Sequence, residues 1–589
     1  MAQIAQLSPG VITTETNLTT VVPSVLTTAG AYAGAFKWGP GKTITSVDSE
    51  RTLVNIFSTP DSNTATSFWS AASFLAYGNN LQVVRAVNSG TLNSVGSGGA
   101  GYQVLNKDAF QYTLLNGNNA NAYGPFMGRY PGALGNSLTV SVIDAGASTA
   151  QFNAWNIALY NVAGTNYANV ALAGYFNGLP TTSYNTSQVG GANDQIHVAV
   201  VDTGGLFSGT KGTVLETYSY LSKAVDSLDS LGQSNYYKNA IFNSSKYVYA
   251  VDPVTYVSTN GTWGRPAANT NFATVGIVNT ALAGGVDVSV TDADVISAMA
   301  SFTDTAQTSI SLLVTGPYTN TAVQTAAINM ASTRKDCVAF VSPPQTSVVN
   351  NSGSEQTSVL SWMSNLSSLS GGPAGSYAFA DSGWKYLFDR YNNNYVWTPL
   401  NADIAGLCVN TDATTSPWYS PAGYTRGAIK NVIKLAWNPT QANRDALYQV
   451  AVNPVVSFPG SGTVLFGDKT MQTQPSAFDR INVRRLFIVL EQAISRAAKY
   501  SLFEFNDAFT QAQFVSLVTP YLRSVQAQRG ISAFQVVCDS TNNTPSVVNN
   551  NQFVGDIYIQ PARSINFIQL NFVAVGTGVN FTTITNTTA

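Results

Sequence analysis

SISLLVTGPYTNTAVQTAAINMASTRKDCVAFV (309–341) decides the fold of this chain. Two apolar runs, 309–314 and 337–341, flank a stretch at 321–334 with helical character. A strand, a helix and a strand at this spacing form a right-handed crossover between parallel strands. Just upstream, LAGGVDVSV (282–290) runs into Thr291-Asp292-Ala293-Asp294, a capping-box pattern ahead of VISAMASF. The middle of the chain therefore reads as an α/β unit.

Toward the C-terminus the pattern changes. RRLFIVLEQAISRAAKYSLFEF (484–505) repeats Leu486, Leu490, Ala493 and Ala497 at helical spacing and predicts one long helix. A second helix is predicted over 507–529, kinked at Pro520 and stopped by Gly530 at the C′ position. Strands follow at 531–538, 553–559 and 564–575. The last sets Asn566, Ile568, Leu570, Phe572 and Ala574 on one face, and Ile565, Phe567, Val573 and Val575 on the other. A strand apolar on both faces belongs inside a sheet.

At the other end, Glu15 is the only charged side chain between Met1 and Phe36. VITTETNLTTVV (11–22), which includes Val11, Ile12, Thr13, Thr14, Val21 and Val22, is β-branched, lacks glycine and ends at Pro23. It reads as a strand that needs an edge to pair with, because a bare terminal strand exposes unpaired backbone groups. A second strand at 25–36 leads into the turn Trp38-Gly39-Pro40-Gly41. A Gly/Ser/Asn-rich region opens at 91–110, and the 49 positions between Asp144 and Asp194 carry no charge. These features predict an irregular β-rich insertion, with the chain returning along a strand near 194–202 that contains His197.

At 589 residues the chain is long enough for several compact units. Only 10% of it is charged, against roughly 25% in an ordinary soluble domain. Such a surface offers little repulsion between copies. The 28 basic and 30 acidic residues nearly cancel, so nothing global points to nucleic acid or an anionic membrane. Cys337, Cys408 and Cys538 are too scattered for a metal site or a disulfide framework and read as buried thiols. MAQIAQLSPG has no basic n-region or long apolar core, and no apolar run approaches the ~18 residues of a membrane span. These features predict a protein folded in a cytosol.

Candidate chemistry fails on spacing. Gly39-Pro40-Gly41-Lys42-Thr43 imitates the end of a phosphate-binding loop, but Phe36 stands where that motif needs glycine and Pro40 removes an N–H donor. A hairpin turn is expected there instead. Gly316-Pro317 after the first α/β strand is not a dinucleotide fingerprint. His197, the sole imidazole, lies in an alternating strand with no nearby nucleophile and reads as a structural residue. Asp292 and Asp294 are explained by helix capping. No catalytic residue, cofactor or metal is expected. One electrostatic feature stands out: residues 480–529 hold seven basic and three acidic side chains. Arg485, Gln492, Arg496 and Lys499 recur on one helical face. That face is either solvated or a docking stripe for an acidic partner.

Ordered segments along the chain resemble the tail sheath proteins of T-even-type contractile phages. They include SPGVITTE, GAFKWGPGKTITSV, GRYPGALGNSLTVSVID (128–144), RKDCVAFVSPP (334–344) and YLFDRYNNNYVWTPLNADIAGLC (386–408). The series continues through SPWYSPAGYTRGAIKNVIKLA (416–436), FDRINVRRLF (478–487), KYSLFEFNDAFT (499–510), CDSTNNTPSVV (538–548) and IYIQPARSINFIQLNFVA (557–574). Residues 145–193 carry no such match.

The resemblance implies a structural protein rather than an enzyme. It would stack as six-membered rings around a tube protein, end at baseplate and tail terminator proteins, and contract to drive the tube through the host envelope. It would be made in the bacterial cytoplasm and carried in the virion, without direct contact with nucleic acid or insertion into a membrane. The implied fold is a multidomain α+β and α/β chain of nested, discontinuous domains. Residues 1–22 with 440–589 would form the inner domain, exchanging strands between subunits, and 23–92 with 300–439 an intermediate one. Residues 93–97 with 190–299 would lie outside these, and 98–189 outermost. The arm strands would use the 11–22 residues together with Ile565, Phe567, Ile568, Leu570 and Phe572. Arg485, Arg496 and Lys499 would face the tube. A phage adhesin or fibre-like protein is the alternative that the charge-poor insertion suggests, although neither repeats nor heptads support it.

Overall fold

The computed structural model describes residues 25–96, 99–115, 123–162, 165–251, 261–366, 369, 372–566 and 569. Along the chain, β1 (Gly30–Gly34), β2 (Ile44–Val47), α1 (Glu50–Phe57), α2 (Ala65–Leu75) and β3 (Leu81–Arg85) come first. An excursion contributes β4 (Leu138–Asp144), β5 (Gln195–Asp202), β6 (Thr213–Ser222) and β7 (Ile277–Ala281). The chain returns through α3 (Asp292–Met299), β8 (Leu312–Val314), α4 (Thr321–Arg334), β9 (Val338–Val341), α5 (Glu355–Asn365) and β10 (Ala378–Asp381). Then come β11 (Trp384–Asp389), β12 (Asn394–Pro399), α6 (Asn401–Thr414), β13 (Lys434–Leu435), α7 (Gln441–Gln449) and β14 (Val452–Asn453). Last are α8 (Ile481–Ala498), α9 (Ala508–Ala527), β15 (Ile531–Val537) and β16 (Asp556–Pro561).

The described residues divide into two compact units. One holds 25–417 and 421–496; the other holds Trp418–Ser420 with 497–566 and 569. Residues 440–496, grouped above with the C-terminal segment, lie in the first unit, where β14 extends its main sheet.

That sheet has seven strands in the order β14-β10-β9-β8-β1-β3-β2, parallel throughout except for β2. The predicted crossover is its centre. Asn320 caps α4 by accepting from the Ala322 N–H, and Lys335 ends it in the left-handed region at φ 61°. Val323, Ala327, Ile328 and Ala331 are buried on the face turned to the sheet, as a 3.6-residue period requires. Thr291 and Asp294 form the expected capping box on α3. Strands β1, β8, β9 and β10 are buried along their whole length. Helices α2 and α3 both pack on β1, and α6 and α4 both on β9, while α2 packs with α6 and α3 with α4, so the two pairs cover opposite faces of the sheet. At Gly30 a Cβ would stand 2.5 Å from the Phe74 ring of α2, so only glycine allows that approach.

In the excursion, β4 lies between β7 and β5 in an antiparallel sheet ordered β7-β4-β5-β6. A strand from the 98–189 stretch is thus a central member of the sheet built from 190–299. The two stretches share one fold, because Val140 and Val142 pack with Ile196, Val198 and Val200. A fully buried ion pair ties them at the strand ends: Lys223 Nζ donates to Asp144 (2.7 Å), Asn193 O (2.9 Å) and Ala273 O (3.0 Å).

The turn at 39–43 is not a hairpin. β1 and β2 lie on opposite sides of β3, so the chain crosses over it. The crossing wraps the buried Arg85 guanidinium, which donates to the carbonyls of Phe36 (2.8 Å), Gly39 (2.9 Å) and Pro131 (2.8 Å). Burial lowers the Arg85 pKa to about 10.

Candidate assembly surface

An open parallel sheet binds ligands at the carboxyl ends of its strands, where the winding direction reverses. Here that point lies between β1 and β8, and the chain's own groups fill it. Tyr32 Oη meets Ser67 Oγ at 2.6 Å, and the Tyr318 hydroxyl accepts the Ala35 N–H at 2.7 Å. Asn401, at the start of α6, donates to Gly316 O (2.9 Å) and Ser342 Oγ (3.0 Å) and accepts from Gly316 N (3.1 Å). Gly316 takes φ 59°, and a Cβ there would sit 2.5 Å from the Tyr32 ring. Burial pushes the Tyr32 hydroxyl pKa well up.

The other residues weighed for chemistry are structural. His197 is buried, stacked on Phe176 with ring centroids 4.5 Å apart. Its Nε2 lies 2.8 Å from Gly178 O, and its Nδ1 accepts the Tyr220 N–H at 2.9 Å. The three cysteines are free and buried, and burial raises the Cys408 thiol pKa to about 12. Among the described residues no cluster of His, Cys, Asp and Glu could hold a metal, and no helix is long and apolar enough to cross a membrane.

The basic stripe on α8 divides. Arg485 is 4% exposed and grips Asp412 with two hydrogen bonds, so it is not available for docking. Burial works against its charge, but Asp412 outweighs that and raises its pKa. Gln492 points inward as well, donating to Asp336 O at 2.9 Å. Arg484 is sandwiched between the Tyr377 and Phe478 rings, 4.1 and 3.9 Å from their centroids, and Arg480 pairs with Asp468 at 2.9 Å. Much of the basic excess therefore serves packing. Arg496 is half-buried and Lys499 exposed.

The C-terminal unit shows a different kind of surface. α8 ends at Ala498, seven residues before the predicted end, and a 3-10 turn at Lys499–Ser501 follows. Asp507 then caps α9 by accepting from the Thr510 N–H. After α9, Arg529 takes the left-handed turn at φ 64°, while Gly530 lies under the Trp418 ring. β15 and β16 form a two-stranded antiparallel sheet and pair only with each other among the described residues. Buried Asn543 braces their connection, exchanging two 2.8 Å hydrogen bonds with the backbone of Val554. Of the expected arm positions, Ile565 is described: it is 82% exposed and lies outside any strand. Val11, Ile12, Thr13, Thr14, Val21, Val22, Phe567, Ile568, Leu570 and Phe572 lie outside the described residues.

Residues 288–471 match the family model for the phage tail sheath protein central domain, and 473–574 the model for the phage tail sheath C-terminal domain. The chain is 34% identical to the tail sheath protein of Vibrio phage KVP40, over 98% of this chain and 99% of that one. Identity to the tail sheath protein of Enterobacteria phage T4 is also 34%, over the same shares. This chain belongs to the phage tail sheath protein family. Among solved structures, the sheath tail protein of Listeria innocua shares its fold, with a TM-score of 0.53, 12% identity, and coverage of 91% of this chain and 92% of that one. In this sheath-family chain the central-domain match contains β8 to β14, and the C-terminal match contains α8, α9, β15 and β16.

Proposed function

We propose that this chain is the structural subunit of a contractile phage tail. Copies assemble as stacked hexameric rings around the tail tube, between baseplate and terminator proteins, and the lattice shortens to drive the tube through the host envelope. The C-terminal unit together with residues 1–22 forms the inner layer, and the 93–299 excursion the outer one. Arg496 and Lys499 dock on the tube, whereas Arg485 acts within the chain. Membership of the sheath family supports this reading.

One observation carries the mode of assembly. Among the described residues the β15–β16 pair has no further strand on either edge, and VITTETNLTTVV (11–22), with one charge and no glycine, has the sequence pattern of a strand. Strand addition across subunits satisfies both. Backbone pairing of this kind also tolerates large rigid-body movement between subunits. Deleting residues 1–22 tests this reading. A folded monomer with unchanged circular dichroism that forms no cylinders is expected; normal cylinders would overturn it.

A further inference from the structure

The α8–α9 connection and the first turn of α9 display five large apolar side chains within ten residues. Tyr500 is 76% exposed, Leu502 61%, Phe503 105%, Phe505 85% and Phe509 75%. The display is held in place. Asn506 Nδ2 donates to Gln552 O (2.7 Å), Gln511 Nε2 donates to Asn506 Oδ1 (2.9 Å), and Asp507 caps the following helix. Phe503 sits in the left-handed region at φ 70°, which an aromatic residue rarely adopts unless its surroundings impose it.

We propose that this loop is a side-chain contact onto a second copy of the same chain, separate from any strand pairing. The inference rests on the sheath reading. Three observations select the occupant. With each side chain taken at about 200 Å², the exposed surface comes to roughly 800 Å², one partner's share of a standard protein interface. The loop's charges, Lys499, Glu504 and Asp507, nearly cancel, and a chain only 10% charged presents a matching neutral surface. The tie from Asn506 to Gln552, four residues before β16, places the loop in the unit that holds the β15–β16 pair. Rigid aromatic anchors of this kind lose little entropy on binding and become hot spots.

The test compares the full-length wild type with the double variant Phe503→Ser, Phe505→Ser by sedimentation velocity and negative-stain microscopy, without tube protein. The wild type is expected to form cylinders. The variant is expected to remain a monomer with native circular dichroism and to need at least ten-fold more protein to assemble. Phe503→Gly provides a control for folding, since it relieves the positive φ while removing the ring; it should melt no lower than the wild type and still assemble poorly. Variants that form bare cylinders at the same protein concentration as the wild type overturn the assignment. A wild type that never polymerises overturns the sheath reading, and this inference with it.

Discussion

Arg485 and Asp412 meet as a two-pronged ion pair, Nη1 to Oδ1 at 2.8 Å and Nη2 to Oδ2 at 2.6 Å, with both side chains almost wholly excluded from solvent. Asp412 lies in the last turn of α6 and Arg485 in the first turns of α8, so the pair fastens one helix to the other.

Removing one partner of such a pair strands a buried charge and costs about 3–5 kcal/mol. Arg485→Glu should therefore lower the unfolding midpoint in urea sharply, with little recovery in high salt. A midpoint within experimental error of the wild type would mean that the pair is not formed in solution.

Lys499→Glu should behave in the opposite way. The side chain is exposed, and substitutions at such positions shift stability within about ±0.5 kcal/mol. Co-sedimentation with the tube should weaken, and added salt should weaken the wild type in the same direction. Attachment indifferent to both the reversal and salt would return this residue to the solvated surface.

His197 gives the stability a pH dependence of known sign. Burial lowers its pKa, and accepting the Tyr220 N–H at Nδ1 requires the neutral ring. The unfolded chain takes up a proton near pH 6.5. Stability from this residue is therefore complete above about pH 6.5 and is lost as pH falls toward the folded pKa, at most about 1.4 kcal/mol per pH unit. The advantage of the wild type over His197→Gln should shrink between pH 7.5 and 5.5. Parallel unfolding curves at the two pH values would contradict the neutral-ring assignment.

Replacing 98–189 by a short linker removes β4 from the middle of its sheet and takes Asp144 from Lys223. The remaining 190–299 segment should become protease-sensitive, while fragments containing β8 to β14 persist. Resistance of 190–299 equal to that of the wild type would show that β5 to β7 fold without their central strand.

How much of this was legible depended on the range of the interactions. The β8–α4–β9 crossover, the Thr291 cap and the α9 start at Asp507 are set by neighbours within a few residues, and the sequence pattern shows them; the Asn320 cap on α4 is equally local but was not read. The burial of Arg485 depends on Asp412, 73 positions away, and no local pattern reveals it. The turn at 39–43 was misread for the same reason: Arg85 and Pro131 decide where the chain goes. The apolar spacing of α8 carried the helix too far, into Tyr500–Phe505, because exposed aromatics look like core residues in sequence. β4 was hidden by the neutral residues that follow it.

Copies of this chain are expected to build a sheath by themselves, without nucleotide. Electron microscopy of the purified full-length protein, in buffer with chelator and no ATP, tests it most directly. Hollow cylinders of stacked six-membered rings are the predicted result. Discrete particles or slender fibres, or cylinders that appear only with ATP and vanish in Lys42→Ala, would contradict it.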